Sequence, residues 1–218
     1  MKRLLDMVLS VLALLVLWPA MLLIALAIRL DSPGPALFAQ RRVGRGGRLF
    51  TMLKFRTMRV EADPYGRSPH GPEDPRLTRL GRRLRETSLD ELPQLLNVLA
   101  GRMSLVGPRP LYERQAEQWT PRQRRRLEVR PGLTGYAQAY GRADLTHEEK
   151  IEMDVFYVEN RTLWLDVRIA LRTLTNLPRR RGQAVYEKRY SRQASCEADV
   201  AARAPRAGDP GSEEHRQA

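Results

Sequence analysis

The first feature of the hydrophobic pattern is an unbroken apolar run. Residues 7–28, MVLSVLALLVLWPAMLLIALAI, contain no charge, and at about 1.5 Å per residue a straight helix of this run would reach roughly 33 Å, just enough to cross a bilayer. Pro19 stands near its middle, where it removes a helical hydrogen bond and presses on the carbonyl of Leu15 at a cost of about 3 kcal/mol, so the helix is expected to break or kink there. Lys2 and Arg3 precede the run, and Arg29, Arg41, Arg42, Arg45 and Arg48 follow it. By the positive-inside rule both ends belong to the cytoplasm. A re-entrant hairpin of two half-helices, with Pro19 as the membrane break, satisfies both observations. A spanning helix kinked at Pro19 competes with it. So does a secretory signal peptide, for which Ala25-Leu26-Ala27 would be an A-x-A cleavage site.

Beyond the break signal Asp31-Ser32-Pro33-Gly34-Pro35, the pattern shortens. Leu37-Phe38-Ala39-Gln40, a Gly44-Arg45-Gly46-Gly47 turn and the segment LFTMLKF over residues 49–55 predict a β-hairpin. In its second strand Leu49, Leu53 and Phe55 share one face, and Phe50, Met52, Lys54 and Arg56 the other. A pair such as Lys54 and Arg56 ordinarily marks a solvated face. Residues 62–75, rich in Pro, Gly and charge, read as a loop, and residues 77–85 as a short basic helix. Leu92, Leu95, Leu96 and Leu99 then recur with helical spacing in an amphipathic helix ending at Gly101, with Asp90 suited to its N-cap and Pro93 in its first turn. Residues 103–106 predict a short strand, residues 122–126 a basic helical stretch in which Arg126 is taken as solvated, and residues 130–135 a loop. Leu163, Val167, Ala170, Leu171 and Leu174 line one face of a last helix, with Arg168 and Arg172 elsewhere; core packing is the default for such a face, and a membrane surface the alternative.

Charge sharpens this picture. The 218-residue, 25.0 kDa chain carries 38 Lys and Arg against 25 Asp and Glu, a net +13, while 42% apolar content is too high for a disordered polycation. Residues 29–85 alone hold 14 basic and 5 acidic side chains, placing much of the excess beside the apolar run, where anionic headgroups would attract it. A membrane-tethered nucleic-acid-binding protein is the alternative that the charge suggests, but no helix-turn-helix, RNP or zinc motif supports it. The single Cys196 excludes an internal disulfide and a Cys-based zinc site. His70, His147 and His215 lack metal-ligand spacing. There is no P-loop and no serine nucleophile elbow.

What remains is Ser88-Leu89-Asp90-Glu91. Taken alone it reads as a capping box. Its context argues for more: adjacent carboxylates at a helix start, Arg85 upstream, and Arg109 between two prolines downstream. At a helix N-terminus in so basic a chain these carboxylates are expected to have a lowered pKa and to stay ionised, ready to bind a metal or attack an electrophile.

The run SLDELPQLLNVLAGRMSLVGPRP over residues 88–110, KFRTM over 54–58 and RPGLTGYAQAYGR over 130–142 resembles the bacterial sugar transferase family, the monotopic polyprenyl-phosphate glycosyl-1-phosphate transferases. The similarity runs from about Lys2 to about Tyr190 and matches the minimal form of these phosphoglycosyl transferases, without the multi-span module of larger members. It implies an α+β, predominantly helical fold: a re-entrant membrane hairpin in residues 1–30, a cytoplasmic catalytic domain in 31–190 with a short β-hairpin and amphipathic membrane-surface helices, and a disordered tail in 191–218. It also implies the reaction. Asp90 would attack the sugar-bearing phosphorus of a UDP-sugar, release UMP and carry the phosphosugar until polyprenyl (undecaprenyl) phosphate collects it, as the first membrane step of glycan or exopolysaccharide assembly. By the same resemblance Asp90 would also touch a divalent cation, Mg²⁺, and Glu91 completes the acidic dyad. Lys54, Arg85 and Arg109 match phosphate-binding positions, while Gln138 and Arg142 match a nucleotide-side contact whose loop reads equally well as purely structural, with Gly135 and Gly141 serving turns. The implied partners are a UDP-sugar donor, a polyprenyl phosphate acceptor and membrane lipid at the bacterial inner membrane, with no nucleic acid. Two positions depart from the family pattern: Trp18 stands before Pro19 where relatives often have Ser, and Tyr140 stands where many have Asn.

Overall fold

The computed structural model describes residues 1–63, 66, 69, 71–141 and 145–176. Helix α1 (Lys2–Asp31) runs through Pro19 as one element, so the expected division into two half-helices is not found. Proline costs α1 one bond, to the carbonyl of Leu15, and its fixed φ is itself helical. Ending the helix there would leave more backbone groups without partners in a segment that offers them no polar side chains. Helix α1 is long and apolar enough to cross a membrane.

Both ends of α1 are fastened to the same globular unit. At its start Lys2 Nζ donates to Asp166 Oδ2 at 2.5 Å and to the Val106 carbonyl at 3.1 Å, and Arg3 donates to the Val98 and Leu99 carbonyls at 2.6 and 2.9 Å. Asp6 accepts from Ser104 Oγ at 2.8 Å and from the Leu105 amide at 3.2 Å. At its end Ile28 packs with Phe55 and Leu84. There Arg56 donates to the Ser32 carbonyl at 2.7 Å and to that of Pro33, a cation on the terminal carbonyls where the helix dipole favours one. None of residues 11–20 is buried.

Strands β1 (Leu37–Val43) and β2 (Leu49–Phe55) form the predicted antiparallel hairpin, with Leu37 opposite Phe55 and Val43 opposite Leu49. The face expected to be solvated is not. Phe50, Met52 and Arg56 are buried, and Lys54 is largely covered. Helix α2 (Arg79–Glu86) follows, capped by Thr78. It lies so close to the exit of β2 that a Cβ on Gly81 would stand 2.0 Å from the Thr57 carbonyl oxygen.

A 3₁₀ turn, Leu89–Glu91, then leads into α3 (Gln94–Leu99). Asp90 is therefore not the N-cap: Pro93 is. Lacking an N–H, Pro93 cannot reach back to Leu89, whose carbonyl is taken instead by the Leu92 amide at 3.3 Å. The leucine stripe is also only partly the buried face. Gln94, Leu95, Asn97 and Val98 are buried while Leu96 is exposed. Asn97 sets this rotation, accepting from the Leu53 amide at 2.9 Å and donating to the Thr51 carbonyl at 2.8 Å, so that it satisfies the open edge of β2.

Strand β3 (Ser104–Val106) pairs in parallel with β4 (Gly132–Thr134), where a loop was expected. Between them lie α4 (Glu113–Glu117), α5 (Pro121–Arg124) and a 3₁₀ turn, Arg125–Glu128. After β4 come α6 (Tyr136–Tyr140), α7 (His147–Asn160) and α8 (Leu163–Asn176). Val106, Ala139, Tyr157, Val158 and Ile169 form the core that joins them.

Two further expectations are corrected here. Arg126 is not solvated: only 3% of it is exposed, against Asp154 of α7. Of the apolar face of α8 only Ala170 packs against the core. Leu163, Trp164, Val167, Leu171 and Leu174 are all exposed, the arrangement of an amphipathic surface helix. The tail over residues 191–218, Cys196 and Arg142 lie outside the described residues.

Candidate active site

The chain reaches the acidic pair through Ser88, whose φ of 58° is the one positive value of a non-glycine residue among the described residues. Such a backbone costs about 1 kcal/mol or more, and here it reverses the direction of the chain between α2 and the 3₁₀ turn. Asp90 is consequently buried, 6% exposed, with Glu91 beside it at the surface of the site.

Cations gather around this pair from three elements. Lys54 of β2 donates to Glu91 Oε1 at 2.9 Å, and Arg109, from the loop after β3, reaches the same oxygen at 3.3 Å. Arg85 of α2 is close enough for its charge to act on Asp90, as do those of Lys54 and Arg109. The Asp90 carboxylate itself accepts no hydrogen bond among the described residues. Its pKa is raised to about 6, chiefly because burial penalises the charge, with Lys54 the strongest opposing influence and Glu91 adding to the rise. The expected lowering is thus reversed: in a 3₁₀ turn preceding a helix of six residues, little dipole is available, and desolvation outweighs the neighbouring cations. At pH 7 a group of pKa about 6 is still about nine-tenths ionised.

Arg109 is aimed by its surroundings. A Cβ on Gly132 would lie 2.1 Å from the Gly107 nitrogen and one on Gly135 2.2 Å from the Gly107 oxygen, so these glycines let two backbones meet under the 107–110 loop. Arg126 Nη2 donates to the Arg109 carbonyl at 2.8 Å and to Asp154 Oδ2, and its guanidinium lies 4.7 Å from the Trp119 ring. Burial raises the Asp154 pKa to about 6, with Arg126 the largest opposing influence.

Among the expected site residues, then, Lys54, Arg85, Asp90, Glu91 and Arg109 come together. Gln138 stands on α6 behind the Gly107 loop, where its Oε1 would be 2.7 Å from a Cβ on Gly135. Arg142 lies outside the described residues.

The sequence reading missed a third arginine. Arg42 sits 3.6 Å from the Tyr112 ring centroid, donates to Gln40 Oε1 at 2.6 and 3.1 Å, and its charge interacts with Arg109 and Glu91. Burial pushes its pKa down to about 10, opposed mainly by Tyr112. The hairpin register held the signal: Phe38, Gln40 and Arg42 pair with Lys54, Met52 and Phe50, so all six share one face.

Among the described residues no group of three or more His, Cys, Asp or Glu side chains could cage a metal. Asp90 and Glu91 fit the other way of binding Mg²⁺, in which one or two carboxylates are joined by substrate phosphates and water. A buried carboxylate without a protein donor is suited to that.

Comparison with known proteins identifies the family. The model of the bacterial sugar transferase family matches residues 1–180. The chain is 46% identical over 184 residues to a UDP-glucose:undecaprenyl-phosphate glucose-1-phosphate transferase of Caulobacter vibrioides, covering 81% of this chain and 69% of that protein. A protein of the same name in Xanthomonas campestris is 46% identical over 182 residues, of which this chain spans 37% of the length. An undecaprenyl-phosphate galactose phosphotransferase of Salmonella typhimurium is 39% identical over 197 residues, 41% of its length. With a match over most of its length and the acidic pair and its cations in one place, the chain belongs to the bacterial sugar transferase family.

Proposed function

We propose that this protein transfers a sugar-1-phosphate from a UDP-sugar to polyprenyl (undecaprenyl) phosphate, giving polyprenyl-diphosphate-sugar and UMP, through a phosphosugar carried on Asp90. The observation that carries this reading is the buried Asp90 carboxylate, without a hydrogen bond among the described residues and flanked by Lys54, Arg85 and Arg109. The names of the relatives support the donor and acceptor classes.

The chemistry is two displacements at one phosphorus. An Asp90 oxygen forms a bond to the sugar-bearing phosphorus while the bond from that phosphorus to the bridging oxygen breaks, and UMP departs with the electron pair. A phosphate oxygen of the polyprenyl carrier then attacks the same phosphorus and the bond to Asp90 breaks, restoring the carboxylate. Desolvation leaves the Asp90 anion a better nucleophile than a hydrated one. Lys54, Arg85 and Arg109 supply fixed positive charge where negative charge accumulates. Glu91 positions two of them, since Lys54 and Arg109 converge on its Oε1. Bound Mg²⁺ would screen the repulsion between carboxylate and diphosphate.

The membrane seat follows from the exposed surfaces. Leu15, Val16 and Trp18 in the middle of α1 and the apolar face of α8 are uncovered, and the two ends of α1 are fastened to one globular unit. We read α1 as seated in the inner membrane with both of its ends on the cytoplasmic side, which lets a soluble donor and a lipid acceptor use Asp90 in turn as the first membrane step of glycan or exopolysaccharide assembly.

Intact-mass measurement tests the mechanism. With UDP-sugar and Mg²⁺ but no polyprenyl phosphate, the protein should gain one sugar phosphate, mapped to Asp90. Asp90→Asn should form no adduct. An unmodified protein that nevertheless turns over, with kinetics requiring both substrates bound together, would overturn the covalent step while leaving the overall reaction in place.

A further inference from the structure

At the other end of α3 from the acidic pair lies a cavity of about 210 Å³, bounded by the start of α1, β3, the turn after β1 and the corner between α7 and α8. Lys2, Arg3, Arg45, Arg130 and Arg161 line it, against Asp6 and Glu128. It shares none of its lining with the site around Asp90.

Most of the lining's other charges are already engaged. Glu128 Oε1 pairs with Arg125 at 3.2 Å. Asp6 is held by Ser104 and Leu105, and Lys2 is neutralised by Asp166. Among the described residues Arg3 bonds to carbonyls and makes no ion pair, with the Asp6 carboxylate, itself held by neutral donors, the one acidic charge beside it on α1. Arg45 and Arg130 each use Nε alone, toward the Glu128 and Gly101 carbonyls, and Arg161 makes no side-chain hydrogen bond among the described residues. Three guanidinium ends therefore face or border the cavity with donors to offer, in a volume of about seven liquid waters.

The surroundings point to the kind of anion. Directly after Arg3 come Leu4 and Leu5, and close after Arg161 come Leu163 and Trp164; all four are exposed. The cavity's lining thus adjoins in the chain the starts of two uncovered apolar surfaces, with a tryptophan at one of them, as a site at the depth of headgroup phosphates would.

We propose that this cavity binds a phosphate-bearing anion, and that its occupant in the membrane is the phosphodiester headgroup of an anionic phospholipid, whose acyl chains lie along Leu4, Leu5, Leu163 and Trp164. The site would fix how deeply the enzyme sits, separately from the chemistry at Asp90.

The test uses the full chain in detergent and reads its thermal unfolding midpoint, which does not depend on turnover. Short-chain phosphatidylglycerol should raise the midpoint saturably; short-chain phosphatidylcholine, with its net-neutral headgroup, should not. Inorganic phosphate should act only at far higher concentration. In Arg130→Gln/Arg161→Gln the half-saturating lipid concentration should rise about tenfold or more, as expected for two charge-assisted contacts. Because Arg130 also braces Gly101, Arg161→Gln alone is the second variant, expected to weaken the response severalfold with an unchanged starting midpoint. Arg83→Gln, exposed on α2, should leave the response as in the parent. Equal responses in the parent and both cavity variants, or equal effects of the two lipids, would overturn the site. A phosphate response as strong as that to phosphatidylglycerol would overturn the lipid as occupant.

Discussion

Arg126 invites replacement as a bystander in a basic run, and the structure makes it one of the least tolerant positions in the chain. Its side chain is 2% exposed and pairs with an Asp154 side chain 3% exposed. Removing one member of a buried pair strands the other, at a cost of about 3–5 kcal/mol. For a folded unit of this size Arg126→Met should therefore lower the unfolding midpoint by about 6–20 °C. The deficit should depend on pH in a defined direction. Asp154 in the folded protein has a pKa of about 6, above the ordinary carboxylate value, so the folded state holds its proton more tightly and stability declines as pH rises from about 4 to 6. Without Arg126 the folded value climbs further, and the gap between variant and parent should shrink as pH falls from about 8 to 5. Arg126→Met/Asp154→Leu, which strands no charge, should regain most of the stability. It should not regain turnover, because the Arg109 carbonyl still lacks the donor now 2.8 Å away. An unchanged midpoint in Arg126→Met would refute the burial, and full recovery of turnover in the double variant would refute the positioning of Arg109.

Other outcomes follow from the same geometry. On the proposed mechanism, in which Asp90 attacks as its anion, turnover should fall with a single proton's slope as pH drops through about 6. Lys54→Met should move that limb upward, because Lys54 is the strongest influence opposing the rise; a limb fixed near pH 4 in both proteins would exclude a buried nucleophile. Arg109→Ala should cut turnover by at least about a hundredfold, as expected for a phosphate-stabilising cation. Arg83→Ala on the surface of α2 should be near neutral, and equal losses would mean that only bulk charge matters. In a Cys196-replaced background, cysteines at Lys2 and at Arg41 should both resist an impermeant thiol reagent in intact cells. Labelling at one end only would show a spanning helix.

The parts legible in the sequence are those whose signal is local. The hairpin registers through alternation and its glycine turn, and α1 through composition alone. Strands β3 and β4 are three residues each and pair across a separation of 28 positions, so neither has room for a period, and their pairing is visible only through the glycines that let the backbones meet. Arg126 was hidden by its neighbours, a run of arginines that reads as solvated, yet its partner left a trace. Ile151, Asp154, Val155 and Val158 occupy one buried stripe of α7, and an aspartate on an apolar stripe implies a buried cation elsewhere.

The acidic pair shows the same limit in a sharper form. Identity and spacing picked out Asp90 and Glu91, which the fold sets among Lys54, Arg85 and Arg109, but assigned the wrong sign to the pKa of Asp90, because the sign depends on whether the chain forms a helix start or a buried 3₁₀ turn, and Pro93 decides that. The consequence reaches the chemistry. A carboxylate held well below its ordinary pKa by close cations would be always ionised but a poor nucleophile, its charge already satisfied. Asp90 is held the other way, desolvated and, among the described residues, without a hydrogen-bond donor, while Lys54 and Arg109 are drawn to Glu91 at 2.9 and 3.3 Å. On the proposed mechanism the dyad divides its labour by burial: the less buried Glu91 organises positive charge for the phosphates, and the buried Asp90 keeps its anion for the phosphorus. Exchanging them, as Asp90→Glu/Glu91→Asp, should preserve net charge and still abolish turnover, since the longer carboxylate would reach Lys54 and lose the isolation on which its reactivity depends.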